Sequence, residues 1–459
     1  MRLAWALRVM DGDVVAIVGG GGKTSTLYRL AAELAEPGTG RVVVTTTAKM
    51  LLPREGDADG LFLHRDFDAL AAYHTETLPY LRRIVVAPDL HDTRDGWKLD
   101  SAPLDWPRRL ADLPRVANVL VEADGSRHLP LKAPAEYEPP IPPDADMVVV
   151  VAGLDVIGEL LDDEHVHRAA RAAALAGQPL GSPVAAETMA RILTHAEGGL
   201  KNVPPGARVV ALLNRVTPDT LPLARDVARR ILAAPGYDAA LIGTVQEDDP
   251  IWERHARLGA VVLAAGGASR YGALKQTLPW GDTTLVGRAL RVAQASGAAQ
   301  TVLVTGANAE EVEQAAHAVI GGRSRAVGPP WSVVNNPAWP DGLSTSVRAG
   351  LAALGDDIGV ALFLLADQPT VTPEIVHTLV QRYRETGAPI VVPTFAGRRG
   401  TPTLWDRDLW HELMQVEGDQ GGRALIEDFA DQAAFVEVGE AAAVDIDTPD
   451  DYRRLTGAG

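Results

Sequence analysis

At 459 residues the chain is too long for one ordinary core, and usual domain sizes allot it two or three domains. Its hydrophobic share of 46% and charged share of 22% exclude wholesale disorder. A formal net charge of -17 excludes broad contact with nucleic acid, whose phosphates are neutralised by Lys and Arg, but leaves room for a small anion held by a few local cations.

No cysteine occurs, which removes disulfides, thiolate nucleophiles and cysteine metal sites together and fits a reducing, cytoplasmic setting. The opening stretch MRLAWALRVMDGDVV has an apolar patch interrupted by Arg8 and followed by Asp11 and Asp13, which is not the form of a signal peptide. No segment approaches the roughly 20 apolar residues of a membrane helix, so no membrane partner is expected.

In chain order, strand-like runs alternate with helical patterns. They are VVAIV (14 to 18), RVVVTT (41 to 46), ANVLVEAD (117 to 124), DMVVVVAG (146 to 153), ARVVALLN (207 to 214) and AALIGTV (239 to 245), then AVVLAAG (260 to 266), QTVLVTG (300 to 306), VALFLLAD (360 to 367) and PIVVPTF (389 to 395). This alternation predicts an α/β protein of two domains, each a mostly parallel Rossmann-like sheet flanked by helices. Each half has its own Gly-rich loop after its first strand. The join is expected in the charged stretch 246 to 259, giving domains 1-252 and 253-459.

After the first strand come Gly19, Gly20, Gly21, Gly22, Lys23, Thr24 and Ser25, then a helix with Leu27, Leu30, Ala31 and Leu34 on one face. Backbone N–H groups and a helix N-terminus receive phosphate there, Lys23 adds charge, and Thr24 can hold Mg²⁺. Ile17 stands where the full GxxxxGK[ST] spacing needs glycine, so the match is to a shorter GxxGKT loop. The run NVLVEAD delivers Glu122 and Asp124 to a strand's carboxyl end, where a carboxylate can hold Mg²⁺ or orient water. Thr45, Thr46 and Thr47 suit either a site or a β-former and capping role. LLNRVTPD is similar to the guanine-reading NKxD element except for Thr217, which leaves the base open. His165 and His167, two residues apart, do not share a helix face, and a structural or substrate-contact role is expected for them.

These stretches, with VVVTTTAKM, VEADGSRHLPLKAPAEYEPPIP, AGLDVIG and HVHR, resemble the YqeC family, accessory proteins of selenium-dependent molybdenum hydroxylases, over most of residues 13 to 245. The resemblance implies binding of a nucleoside triphosphate more than any particular reaction.

In the second half, Ala265, Gly266 and Gly267 lead into Ser269, Arg270, Gly272 and Lys275. Successive backbone N–H groups in such a loop can bind a triphosphate, with Arg270 and Lys275 neutralising its charge. Asp367 ends the apolar run VALFLLAD, and an ionised carboxylate there calls for a partner such as a metal. Its other use, as a helix N-cap, is better served by Thr372 before Pro373 and Glu374. In VDIDTPDDY, Asp445 and Asp447 share a face when extended, and either could complete a metal site.

LAAGGASRYGALKQTLPW, NNPAWPDGLSTSVRAGL, LLADQP, PTFAGRRGTPTLW, GDQGGR and VDIDTPDDY together resemble the molybdenum cofactor cytidylyltransferases over residues 260 to 455. The resemblance implies that Gly266, Arg270 and Lys275 bind CTP phosphates, that Asp367 holds Mg²⁺ with Asp447 as second ligand, and that CMP passes to molybdopterin with release of pyrophosphate. A recipient molybdenum hydroxylase is implied as a partner. LAAG at 263 to 266 favours CTP over GTP. Tyr271 stands where the family has Met, and Thr401 where RGHP would place His, which opens the identity of the acceptor. Transfer to another phosphorylated acceptor and non-catalytic chaperoning of the cofactor remain as alternatives.

Overall fold

The structure, a computed structural model, describes residues 1–36, 40–77, 81–93, 96–267, 271, 273–321, 331–420, 422–439 and 444–457. It divides into two compact units, Met1–His255 and Ala256–Gly459.

The first unit is built on a nine-stranded sheet of β1 (Val14–Gly19), β2 (Arg41–Thr46), β3 (Gly60–Leu63), β4 (Arg83–Ala87), β5 (Val116–Glu122), β6 (Met147–Gly153), β7 (Arg208–Asn214), β8 (Ala239–Gly243) and β9 (Ile251–Ala256). Its strand order is β9-β8-β7-β6-β1-β5-β2-β4-β3, and the pairings from β3 through to β8 are parallel. Central strands such as VVAIV read as unbroken apolar runs because both faces are covered: Val14, Ala16 and Val18 pack into one core layer, Val15 and Ile17 into the other. Strands β2 to β5 lie on one side of β1 and β6 to β9 on the other, so the winding reverses at β1, where an open α/β sheet leaves a crevice for ligands. Helix α1 (Lys23–Leu34) follows at once and buries Leu27, Leu30 and Ala31.

The second unit has an eight-stranded sheet of β10 (Leu258–Leu263), β11 (Gln300–Thr305), β12 (Trp331–Asn335), β13 (Val360–Leu365), β14 (Ile390–Phe395), β15 (Arg398–Arg399), β16 (Thr403–Asp406) and β17 (Ala434–Glu437). The order is β12-β11-β10-β13-β16-β14-β15, with β17 added beside β14. The β12-β11-β10-β13 portion is parallel and β16 runs antiparallel to both its neighbours. Here the winding reverses between β10 and β13, the two strands that carry the glycine turn and Asp367. Helix α2 (Pro373–Thr386) follows, with Thr372 as its N-cap as expected.

All ten predicted runs are strands. The stretch 246 to 259, expected as a join, is largely ordered as sheet, with β9 at the edge of the first sheet and β10 opening the second. Among the described residues no helix is long and apolar enough to cross a membrane.

Candidate functional site

The first loop needs its glycines for close packing as much as for ligand approach. Gly19 (φ 99) and Gly21 (φ 73) are left-handed, and a Cβ on either would lie 2.2 Å from the backbone of Val151 or Gly153. Asn214 fixes the loop from a third side: its Nδ2 donates to Gly21 O at 2.7 Å, while its Oδ1 accepts from Val245 N at 3.0 Å. The residue similar to a base reader is thus spent on the loop. The first turn of α1 holds no acidic side chain, which leaves its positive end open to an anion.

Lys23 is buried, its Nζ donating to Gly19 O at 2.8 Å and lying 3.2 Å from Asp124 Oδ1. The other Asp124 oxygen is 2.9 Å from Lys132 Nζ and accepts from Gly19 N at 3.1 Å. Lys132 continues to Glu138 at 2.8 Å, and Glu138 takes both Nη1 and Nη2 of Arg168 at 2.8 Å each. Burial acts to raise the Glu138 pKa, but hydrogen bonds from Arg168 and Lys132 outweigh it and hold it at about 2. A cavity of about 20 Å³, lined in part by Gly19, Asp124 and Lys132, has room for one water.

Thr24 Oγ1 donates to Glu122 Oε2 at 2.8 Å. Burial raises the Glu122 pKa, the Lys23 ammonium and the Thr24 hydroxyl oppose this, and Asp124 reinforces it. Of the three expected metal ligands, Thr24 and Glu122 therefore stand together as an all-oxygen pair suited to a hard cation, whereas Asp124 is committed to two ammonium groups. One helical turn along, Tyr28 buries a hydroxyl with no hydrogen-bond partner among the described residues. The hydroxyls of Thr45, Thr46 and Thr47 are all taken by backbone carbonyls, of Val86, of Ala48 and Glu122, and of Pro140, which fits their structural role.

In the second unit, Ala264 to Gly267 turn away from the end of β10. A Cβ on Gly266 would meet nothing within 4 Å among the described residues, whereas one on Gly267 would press on the Trp339 ring at 2.8 Å. Gln276, buried, donates to Gly266 O at 2.6 Å and so sets the turn. Ser269, Arg270 and Gly272 lie outside the described residues.

Lys275 Nζ donates to Asp367 Oδ2 at 2.5 Å and to Ile446 O at 3.2 Å, and lies 3.5 Å from Asp447 Oδ1. Ile446 N in turn donates to Asp367 O at 3.1 Å, which brings the distant C-terminal segment to the end of β13. One ammonium thus bridges two carboxylates beside the glycine turn, and their oxygen-only donor set suits Mg²⁺, which is commonly held by one or two carboxylates plus substrate phosphates. Among the described residues no three His, Asp or Glu side chains form a metal cage by themselves.

Asp445, the alternative ligand, is engaged elsewhere: Gln368 Nε2 donates to its Oδ1 at 2.7 Å, and Thr401 Oγ1 donates to Gln368 Oε1 at 2.6 Å. Burial raises the Asp445 pKa, Asp367 and Asp447 add to this, and Gln368 and Lys275 oppose it. Sequence reasoning gave no role to Gln276, Gln368 or Lys132. Only Gln368 carried a signal, as the residue directly after Asp367.

The comparisons with known proteins follow this division. Residues 15–170 match the family model described as YqeC protein, and residues 260–434 match the MobA-like NTP transferase domain. The uncharacterized protein YqeC of Escherichia coli (strain K12) is 31% identical over 246 residues, which are 52% of this chain and 91% of that protein. The chain belongs to the YqeC family. The match to the MobA-like NTP transferase domain falls within unit 2 of this YqeC-family chain. That unit is similar to the molybdenum cofactor cytidylyltransferase of Escherichia coli (strain K12), 28% identical over 197 residues covering 42% of this chain and 93% of that protein. It is also similar to the nicotine blue oxidoreductase of Paenarthrobacter nicotinovorans, 29% identical over 208 residues covering 42% of this chain and 94% of that protein.

Proposed function

We propose that the second unit transfers CMP from CTP to molybdenum-loaded molybdopterin, giving the cytosine dinucleotide cofactor and pyrophosphate, for delivery to a molybdenum hydroxylase in the cytoplasm. The observation that carries this is the Lys275 ammonium held between Asp367 and Asp447 beside the open Gly266 turn. The terminal phosphate of the acceptor, with a second pKa near 6, is already largely ionised at neutral pH, so no general base is needed to make it a nucleophile. What the site must supply is neutralisation and in-line positioning. Ala265, Gly266, Gly267 and Ser269 cradle the triphosphate through backbone N–H groups, and Arg270 and Lys275 neutralise charge around the α-phosphorus. Mg²⁺, when held by Asp367 and Asp447, supplies further neutralisation. Lys275 then exchanges its carboxylate partners for phosphate oxygens.

The first unit binds a nucleoside triphosphate at Gly19 to Thr24 and uses it in a linked maturation step. Thr24 and Glu122 hold its Mg²⁺, and Asp124 holds Lys23 at the loop.

A second acceptor is favoured by one observation. Thr401 donates to Gln368 at 2.6 Å, in the loop where the cytidylyltransferase pattern has His, so another phosphorylated small molecule is the alternative substrate. Mass analysis of the product from CTP and molybdenum-loaded molybdopterin tests the reading: a cytosine dinucleotide supports it, and transfer only to another phosphate ester replaces it. Binding of the cofactor without turnover points to a chaperone.

A further inference from the structure

The segment between β5 and Lys132 is packed onto the glycine loop of the first unit. Gly21 N donates to Leu129 O at 3.0 Å, and Leu129 O and Pro130 fill the space that a Cβ on Gly20 would need. On this segment Arg127 and His128 are consecutive left-handed residues, with φ 52 and 65, and Arg168 on the neighbouring segment has φ 62. Such conformations cost energy in a residue other than glycine, persist only when the surroundings impose them, and concentrate at ligand sites.

The other cations around the loop are already paired. Lys23 faces Asp124, Lys132 faces Asp124 and Glu138, Arg168 is bidentate on Glu138, and Arg215 pairs with Asp155 at 2.8 Å. Arg127 differs: it is exposed and makes no hydrogen bond or ion pair among the described residues. His167 is the register partner of Lys132 in the short parallel pairing of Leu131–Lys132 with Val166–His167. Its imidazole is buried and likewise has no hydrogen bond among the described residues. Burial first, then Arg168, Lys132 and Arg127, push its pKa down to about 4, so it is neutral at pH 7 with one N–H to donate. Unspent donors and positive potential thus gather on one side of the loop in a chain of net charge -17.

We infer that Arg127 and His167, flanked by Arg168, form a second anion site beside the glycine loop, which takes the phosphate group of a small-molecule acceptor while a nucleotide occupies the loop. The inference rests on the nucleotide reading of Gly19 to Thr24, and it makes the first unit a two-ligand site rather than a lone nucleotide switch. Phosphate suits the donors better than carboxylate, because the planar guanidinium fork takes two oxygens and the imidazole N–H a third.

The test uses the full chain and separate probes in titration calorimetry. A non-hydrolysable ATP analogue with Mg²⁺ reads the loop, with Lys23→Ala as the variant that removes it. Inorganic phosphate is then titrated into the analogue-saturated chain. The expected result is saturable phosphate binding, weakened about tenfold or more by Arg127→Asn and by His167→Gln, with analogue affinity unchanged. Asn tolerates the left-handed backbone, so a loss in Arg127→Asn at an unchanged melting temperature is a loss of the guanidinium and not of the fold. No phosphate binding, binding indifferent to both variants, or equal binding of malonate overturns the second site. Failure of the analogue to bind, with phosphate binding to the free chain still lost in Arg127→Asn, overturns the nucleotide reading and leaves the anion site standing.

Discussion

Gly21 and Gly266 are the same residue type under opposite constraints. Gly21 has φ 73 and would place a Cβ 2.2 Å from Gly153 N, so Gly21→Ala must move backbone against backbone. A cost of roughly 2–4 kcal/mol is expected, read as a lower denaturant midpoint. No described residue lies within 4 Å of a Cβ on Gly266, so Gly266→Ala should leave stability within about 0.5 kcal/mol while raising the KM for CTP about tenfold, because the methyl enters the ligand's room. Lys275→Ala should lower pyrophosphate release by about 10²–10³-fold, the range for losing one charge-stabilising donor. An unimpaired Lys275→Ala enzyme would contradict the site. The residues the sequence singled out were those at or just past strand ends, Glu122 and Asp367, and the cations that follow each glycine loop, Lys23 and Lys275. Gln276 and Lys132 were not, because their roles exist only once the chain has folded back: Gln276 reaches Gly266 O, and Lys132 reaches Asp124.

At the scale of elements, β1 and β5 end in a chain of alternating charge running from the buried Lys23, Asp124 and Lys132 to the half-buried Glu138 and Arg168. Asp124→Asn removes the charge that two buried ammonium groups share, and a loss of about 3–5 kcal/mol is expected in chemical unfolding of the first unit. Acid should attack the same region. The folded His167 pKa of about 4 lies below the ordinary 6.5, so folding favours the neutral ring. Its stabilisation is complete above pH 6.5 and lost as pH falls toward 4. Glu138, held at about 2 against an ordinary 4.5, adds its loss only below pH 4.5. Between pH 6.5 and 4.5 His167 should therefore account for a loss of about 1–2 kcal/mol by pH 5, while the buried Glu122 and Asp445, whose pKa values are raised, act in the opposite sense as they take up protons. His167→Gln should flatten that part of the stability curve. If the slope is unchanged, the ring is not buried neutral. The long apolar runs identified ten strands because burial on both faces leaves no polar alternation to confuse. The sheet strands β3, β4, β9, β12, β15, β16 and β17 were not among those runs, and none of them is longer than six residues.

For the whole molecule, the two glycine loops lie in separate units, each where its own sheet reverses its winding. Each ligand should then protect its own unit. In thermal unfolding, Mg²⁺ with an ATP analogue should raise the transition lowered by Asp124→Asn. Mg²⁺ with CTP should raise the other, each by about 2.7 kcal/mol at a hundred times Kd. A ligand that raises neither transition would contradict its site. The two-domain α/β plan could be read from the alternation of runs. The sequence offered Asp445 or Asp447 as the partner of Asp367, but the contacts that bring Asp447 there, Ile446 N to Asp367 O and the Lys275 ammonium between the two carboxylates, exist only once the chain has folded back.

Pyrophosphate release by the full chain with Mg²⁺ and molybdenum-loaded molybdopterin, compared for CTP, GTP and ATP, tests the central claim most directly. Release with CTP, weak with the other two and lost in Asp367→Ala, is the predicted result. No release with any nucleotide from folded protein, or release that survives in Asp367→Ala, would contradict it.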